Sequence, residues 1–307
     1  MSEAKRPQLL PVPVSARRPL LDGMMPASEA LRVILFEALS QVRANVPVVL
    51  QSRKSEGLHQ FRVGLRRLRT ALTLIKTPAL AALDARTKQI INTVGPARDL
   101  DVFLAHLFVP AVAELGPRRG FDIMAMRAEQ LRDRAWQTAK TEISGSAFRT
   151  FENDVEAAAR TDIWYDGKTI SVIAAPLLTH ALTRARKRGR QFCHLDPPAR
   201  HRLRIALKKL RYTGEFLAPL YDDKPARRWL RALKELQDLF GDLNDVAQVR
   251  STVGRLLLEE VESAATQADL SYAAGLLEGF HQARGDVLAK KTGNRWQAFR
   301  KADPFWI

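Results

Sequence analysis

One amphipathic segment is written twice in this chain. It reads His59-Gln-Phe-Arg62-Val-Gly-Leu-Arg66-Arg67-Leu-Arg69, and again His201-Arg-Leu-Arg204-Ile-Ala-Leu-Lys208-Lys209-Leu-Arg211. Every histidine and every cation of the first copy meets a histidine or a cation in the second. On a helix turning roughly 100° per residue, His59, Arg62, Arg66 and Arg69 fall within an arc of about 80°, opposite Phe61, Leu65, Leu68 and Leu72. Each copy is therefore expected to form a helix with one oily face and one cationic face. Long cations at i, i+4 and i+7 repel one another, and a stripe of them without interleaved acids is costly to hold. An anionic ligand relieves that cost.

The rest of the chain shares the helical period. Few β-branched alternations and few turn clusters could bound strands, so the expected class is all-α. Ser28 can cap a helix running to about 50, and Ser55 precedes the first His-bearing helix. Thr77-Pro78, Gly95-Pro96, Gly116-Pro117, Gly145 and Asp166-Gly167 are read as breaks. In the second half a helix from about 169 to 192 ends in a run of cations that includes Arg184, Lys187 and Arg188. Asp196-Pro197 then caps the second His-bearing helix, Tyr221-Asp-Asp closes it, and Gly241 interrupts the next pair of helices.

A second pair of motifs keeps the same order. Arg98-Asp99-Leu-Asp101 stands after the first cationic helix, and Gly241-Asp-Leu-Asn244-Asp245 after the second. The two pairs together predict an internal duplication, with halves 27–165 and 166–307 of about five helices each, too long a period for a solenoid. Two bundles about a pseudo-twofold axis, with their cationic faces turned to a shared basic cleft, satisfy that pattern. Residues 1–26 carry Pro7, Pro11, Pro13, Pro19 and Pro26 among Lys5, Arg6, Arg17 and Arg18, and are expected to be an extended, flexible tail.

Composition narrows the partner. Forty-nine Lys and Arg against 33 Asp and Glu leave a net charge of +16, which suits nucleic acid, an anionic membrane surface or a phosphate polymer. The single cysteine, Cys193, forms no intramolecular disulfide and offers no cysteine metal framework, which favours a reducing, cytoplasmic setting. No secretory signal and no apolar run of bilayer length are expected, hence no membrane insertion.

These motifs resemble the CHAD family, the conserved histidine α-helical domain. The resemblance rests on His59-x-x-Arg62-x-x-x-Arg66-Arg67-Leu-Arg69, Arg98-Asp99-x-Asp101-Val102, His201-x-x-Arg204-x-x-x-Lys208-Lys209-Leu-Arg211-Tyr212-x-x-Glu215 and Leu239-x-Gly241-x-Leu243-x-Asp245. It extends from about residue 25 to about residue 300. It implies two pseudo-symmetric helical bundles around a basic cavity, and binding of inorganic polyphosphate, often at polyphosphate granules. Some relatives carry an N-terminal CYTH triphosphatase module marked by a Glu-x-Glu-x-Lys strand. No such motif stands here, so hydrolysis, a cofactor and a catalytic residue are not expected.

A phosphate chain presents only anionic oxygens, for which Arg forks and Lys point charges spaced along a groove are the suitable partners. Arg62, Arg66 and Arg69 with Arg204, Lys208 and Arg211 supply them at one-turn steps. Arg67 and Lys209, at the margins, can reach neighbouring phosphates. His59 and His201 can donate to an anion or gain charge beside one; the competing role is packing near a helix N-terminus. Asp99 and Asp101 can hold Mg²⁺, but Asp99 and Asp245 fit better as acids that orient an arginine of the basic face. Glu215 is expected to hold an arginine, and Tyr212 to reach either the anion or a local partner. Arg98, Arg184, Lys187 and Arg188 are candidates for the rim. Polyphosphate binding stands first, with a general polyanion or nucleic-acid binder second. With 7% aromatics the cationic helices lack interleaved stacking residues. A metal-dependent phosphohydrolase comes third.

Overall fold

The computed structural model describes residues 10–75, 77–161, 167–258 and 263–307. In chain order the helices are α1 (Ala27–Gln51), α2 (Ser55–Leu72), α3 (Pro78–Val102), α4 (Val109–Leu115), α5 (Arg119–Ser144), α6 (Ser146–Ala159), α7 (Ile170–Arg188), α8 (Pro197–Leu217), α9 (Asp223–Leu257) and α10 (Ala264–Arg300). A π-helical stretch, Phe103–Phe108, joins α3 to α4 without a break. No strand occurs among the described residues, and the class is all-α as the periodicity requires.

Local chemistry sets several helix ends. Thr77 accepts a hydrogen bond from the Leu80 backbone N–H at 3.2 Å with Pro78 in the first turn, and Asp196 does the same for Ala199 at 2.6 Å ahead of Pro197. Gly116 ends α4 at φ 82°, a backbone region open to glycine. Two expected breaks are absent. α3 passes straight through Gly95-Pro96, and α9 runs 35 residues through Gly241. Each is packed on both flanks, α3 by α2 and α5, α9 by α8 and α10. Tertiary packing outweighs the roughly 1–3 kcal/mol that Gly or Pro costs a helix. The break expected at Asp166-Gly167 lies partly outside the described residues; Gly167 has φ 66°.

The packing order repeats, since α1 lies on α2 and α2 on α3, as α7 lies on α8 and α8 on α9. α2 and α8 also touch each other. Their oily faces, Phe61, Leu65 and Leu68 on one and Leu203, Leu207 and Leu210 on the other, are sealed in a core that draws on both halves. A smaller core gathers Phe103, Phe108, Phe121, Val249, Val253 and Leu277, where the π-helical stretch meets α5, α9 and α10.

Two expectations about the N-terminal region need correction. The described part of the Pro-rich segment, 10–25, is extended but docked: Asn45 exchanges hydrogen bonds with the backbone of Val14 at 3.0 and 2.8 Å, and Pro19 is buried. α1 is in fact long and apolar enough to cross a bilayer by length and composition, with a mean hydropathy of 1.4. Here it packs on α2 and lines the larger core with Leu31, Ile34, Leu35 and Leu39.

Candidate functional site

With their oily faces buried side by side, α2 and α8 present their cationic faces to one cleft of about 550 Å³. Arg62, Arg66 and Arg69 line it from α2, and His201, Arg204, Lys208, Lys209 and Tyr212 from α8. α3 closes one side with Gly95 and Asp99, and α9 the other with Asn244 and Asp245. His201 Nδ1 lies 3.4 Å from Asn244 Oδ1.

The cations sit close enough to feel one another. Lys208 is held well below the ordinary lysine range by burial and then by Arg66, Arg204, Arg211 and Arg62. Arg62 is brought down to about 10 by burial and Arg66, against the support of Asp99, whose Oδ1 lies 3.7 Å from Arg62 Nη2. Burial and Arg66 likewise lower Arg204, with Asp245 opposing them. Asp245 is itself raised by burial, partly offset by Arg204. Arg62 Nη1 and Arg204 Nε are buried with no hydrogen-bond partner among the described residues. Such a constellation concentrates unmet positive charge and donors in one concave space, which an anion with several oxygens can satisfy.

Gly95 has a steric role in this cleft. A Cβ at this position would stand 2.9 Å from Arg62 Nη1, so the glycine on α3 makes room for the guanidinium. That explains a glycine inside a helix it does not interrupt.

The other sequence candidates take different places. His59, half-buried at the start of the second turn of α2, is pushed down to about 4 by burial and Arg98, then by Arg66 and Lys208, with Glu56 opposing. It is therefore near the cations and neutral at ordinary pH. Arg98 lies on α3 beside His59 and Arg62, each of which its charge pushes down. Arg69 makes a two-pronged pair with Asp84 at 2.7 and 3.1 Å at the margin of the cleft.

Arg67 does not reach the cleft. It is 3% exposed, paired with Glu215, bonded to the Arg17 carbonyl at 3.3 Å and laid over the Phe216 ring at 4.7 Å. Its position one residue beyond the cationic arc turns it into the α2–α8 contact. Glu215 also lies 3.4 Å from Arg211, whose guanidinium sits 5.1 Å above the ring of buried Tyr212. Asp101 faces away from the cleft, accepting from Arg132 at 2.7 Å and Trp136 at 3.1 Å. Among the described residues no group of three or more His, Cys, Asp or Glu is placed to hold a metal.

From the α7 run, Arg184 lines an adjoining cavity of about 580 Å³ that shares Thr70 and Lys209 with the cleft. Arg188 donates to the Arg202 carbonyl at 2.9 Å, and Lys187 is exposed. Lys88, Asn92 and Gln248 line the cleft and were not singled out from sequence. The signal for the first two was their place on α3: Asn92 stands seven residues before Asp99 and Lys88 four before Asn92, which puts all three on one face.

The CHAD domain family matches residues 33–254, nearly three quarters of the chain. The chain belongs to the CHAD domain family. Its fold is similar to the crystal structure of the CHAD domain from the plant Ricinus communis, with TM-score 0.80, 25% identity, and coverage of 95% of this chain and 98% of that one. It is also similar in fold to PptA from Streptomyces chartreusis, with TM-score 0.69, 17% identity, and coverage of 89% and 99%. No curated protein matches the chain. The matched region of this CHAD domain includes both cationic helices and the cleft residues of α3 and α9, and stops before α10.

Proposed function

We propose that this CHAD domain binds inorganic polyphosphate in the α2–α8 cleft and does not transform it. The observation that carries the reading is the convergence of Arg62, Arg66, Arg204, Lys208 and Arg211, close enough that the other four depress Lys208. A phosphate chain brings a negative charge on every unit and removes the mutual repulsion along the whole row at once. Asp99 and Glu215 each pair with an arginine and Asp245 feels the charge of Arg204, so we assign these acids to orientation rather than to chemistry or to a metal. We extend the reading to a cytoplasmic protein that associates with polyphosphate granules, with the two cationic helices as duplicated halves of one site.

The test is a titration of labelled long-chain polyphosphate at about 0.15 M salt with duplex DNA and single-stranded RNA as competitors, where counterion release makes affinity fall steeply with added salt. Tight binding that excess nucleic acid fails to displace, lost in an Arg66→Glu/Lys208→Glu double variant that still folds, is the expected result. Equal competition by DNA identifies a general polyanion binder. Unchanged affinity in the double variant overturns the site, and release of orthophosphate on adding Mg²⁺ or Mn²⁺ overturns the non-catalytic assignment.

A further inference from the structure

A larger cavity, about 750 Å³, opens beside the cationic cleft where the N-terminal part of α8 meets α9 and α10. The two spaces share His201, Arg204 and Asn244. Away from that shared end the wall becomes apolar, with Phe240, Leu243, Val246 and Val249 along α9. Phe240 belongs to the larger core and Val249 to the smaller, so the cavity lies along the seam between them. Apolar side chains bordering an open space forfeit the dispersion contacts and burial that closure would supply.

Two features hold the space open. Gly275 and Gly279 stand one turn apart on the α10 wall, and a Cβ on either would meet nothing within 4 Å. Glycine inside a helix costs roughly 0.5–1 kcal/mol relative to alanine, and here no neighbouring atom requires it. His281, 1% exposed, also lines the cavity. Its Nε2 lies 3.1 Å from the Leu107 carbonyl and therefore carries the proton, which leaves Nδ1 as an acceptor with no partner among the described residues. Burial lowers the pKa of the ring, with the Leu107 hydrogen bond acting the other way.

We infer that this cavity binds a nucleoside phosphate, with its phosphates at the shared His201 and Arg204 end and its base between the α9 and α10 walls. The volume is in the usual range for a small-molecule site. Arg200 adds a guanidinium at the phosphate end, while Gln282 on the α10 wall, whose amide Nε2 donates to Asp286 at 3.2 Å, keeps its carbonyl oxygen for a base edge. Glu278 and Asp286 are acceptors suited to ribose hydroxyls, and they oppose a bare phosphate chain on that side. A phosphate polymer alone would leave the apolar walls unmet. Because both ligands would use His201 and Arg204, nucleotide and polyphosphate exclude one another there. That exclusion rests on the polyphosphate reading; nucleotide binding does not. The α10 wall lies beyond the residues the family match covers.

The test is calorimetric titration of ATP against tripolyphosphate, which carries a like phosphate chain without a nucleoside. ATP is expected to bind at least about tenfold more tightly, a difference of about 1.4 kcal/mol. Gly279→Phe, which fills open space, is expected to erase that excess and leave tripolyphosphate binding unchanged, with circular dichroism confirming the fold. Gly275→Leu repeats the test from the next turn if the first variant does not fold. Equal affinity of wild-type protein for ATP and tripolyphosphate, or an ATP excess that survives filling, overturns the inference. Failure of the polyphosphate reading looks different: long chains would not bind in a salt-dependent manner, while the ATP excess would remain.

Discussion

His59 provides a direct electrical test of the cleft. Its imidazole is lowered from the ordinary 6.5 to about 4 by burial, by Arg98 on α3, by Arg66 on its own helix and by Lys208 on α8, with only Glu56 acting the other way. In the unfolded chain the same ring titrates near 6.5. Between those values the unfolded state binds the proton and the folded state does not. The protein therefore keeps its full stability with respect to this ring above pH 6.5 and loses it progressively as the pH falls toward 4. At about 1.4 kcal/mol per pH unit the full interval corresponds to about 3 kcal/mol, and partial exposure of the ring reduces it to about 2. The perturbation is His59→Gln, which keeps a polar side chain and removes the titration. Urea melts of both proteins at about pH 7.5 and about pH 4.5 isolate the residue, because carboxylates that titrate in the same range act equally in both. The wild type should lose about 1–2 kcal/mol more than the variant over that interval. Equal losses would refute the placement of His59 among the cations. A bound polyanion reverses the repulsion, so polyphosphate should bind more tightly as pH falls through the same interval, by up to about tenfold per unit, and His59→Gln should flatten that profile.

The same geometry carries three further expectations. Lys208→Met removes the lysine held down by burial and by four arginines, and is expected to raise the stability of the free protein by about 1–2 kcal/mol in urea melts while weakening polyphosphate about tenfold or more. A destabilised variant would show that the row carries no net repulsion. Gly95→Ala, normally stabilising by about 1 kcal/mol inside a helix, is expected to give no gain and to weaken polyphosphate, because the new Cβ meets Arg62 Nη1 at 2.9 Å. A full helix-propensity gain with unchanged binding would contradict it. Glu215→Gln strands the buried Arg67 charge, and an expected cost of about 2 kcal/mol is reduced from the usual buried-pair value because the Glu215 side chain is 30% exposed. Thermal melts that overlay the wild type would contradict the pairing.

Periodicity alone was enough for the helices, because an oily face opposite a cationic one has few other ways to meet water. It also placed His59, Arg62, Arg66 and Arg69, and their counterparts from His201 to Arg211, on single helix faces. It erred at Gly95-Pro96 and Gly241, where a local cost of a few kcal/mol was weighed without the packing that overrides it. It erred again at Arg67, whose angular offset of one residue was read as a cleft margin. In the structure that offset points into the α2–α8 contact, over the Phe216 ring and against Glu215.

What the sequence by itself determined is the inventory: an all-α chain, two matched cationic helices and a net charge of +16. Those properties depend on residue type and on separations of three and four positions, which a linear chain displays openly. Tertiary structure decided which cations share a cleft, which acids neutralise them, and that Lys88, Asn92 and Gln248 join the lining. It also opened the cavity between α9 and α10. Burial and through-space charge are set by residues distant in sequence, and the depressed charges of Lys208 and His59 come into being only when α2, α3 and α8 meet.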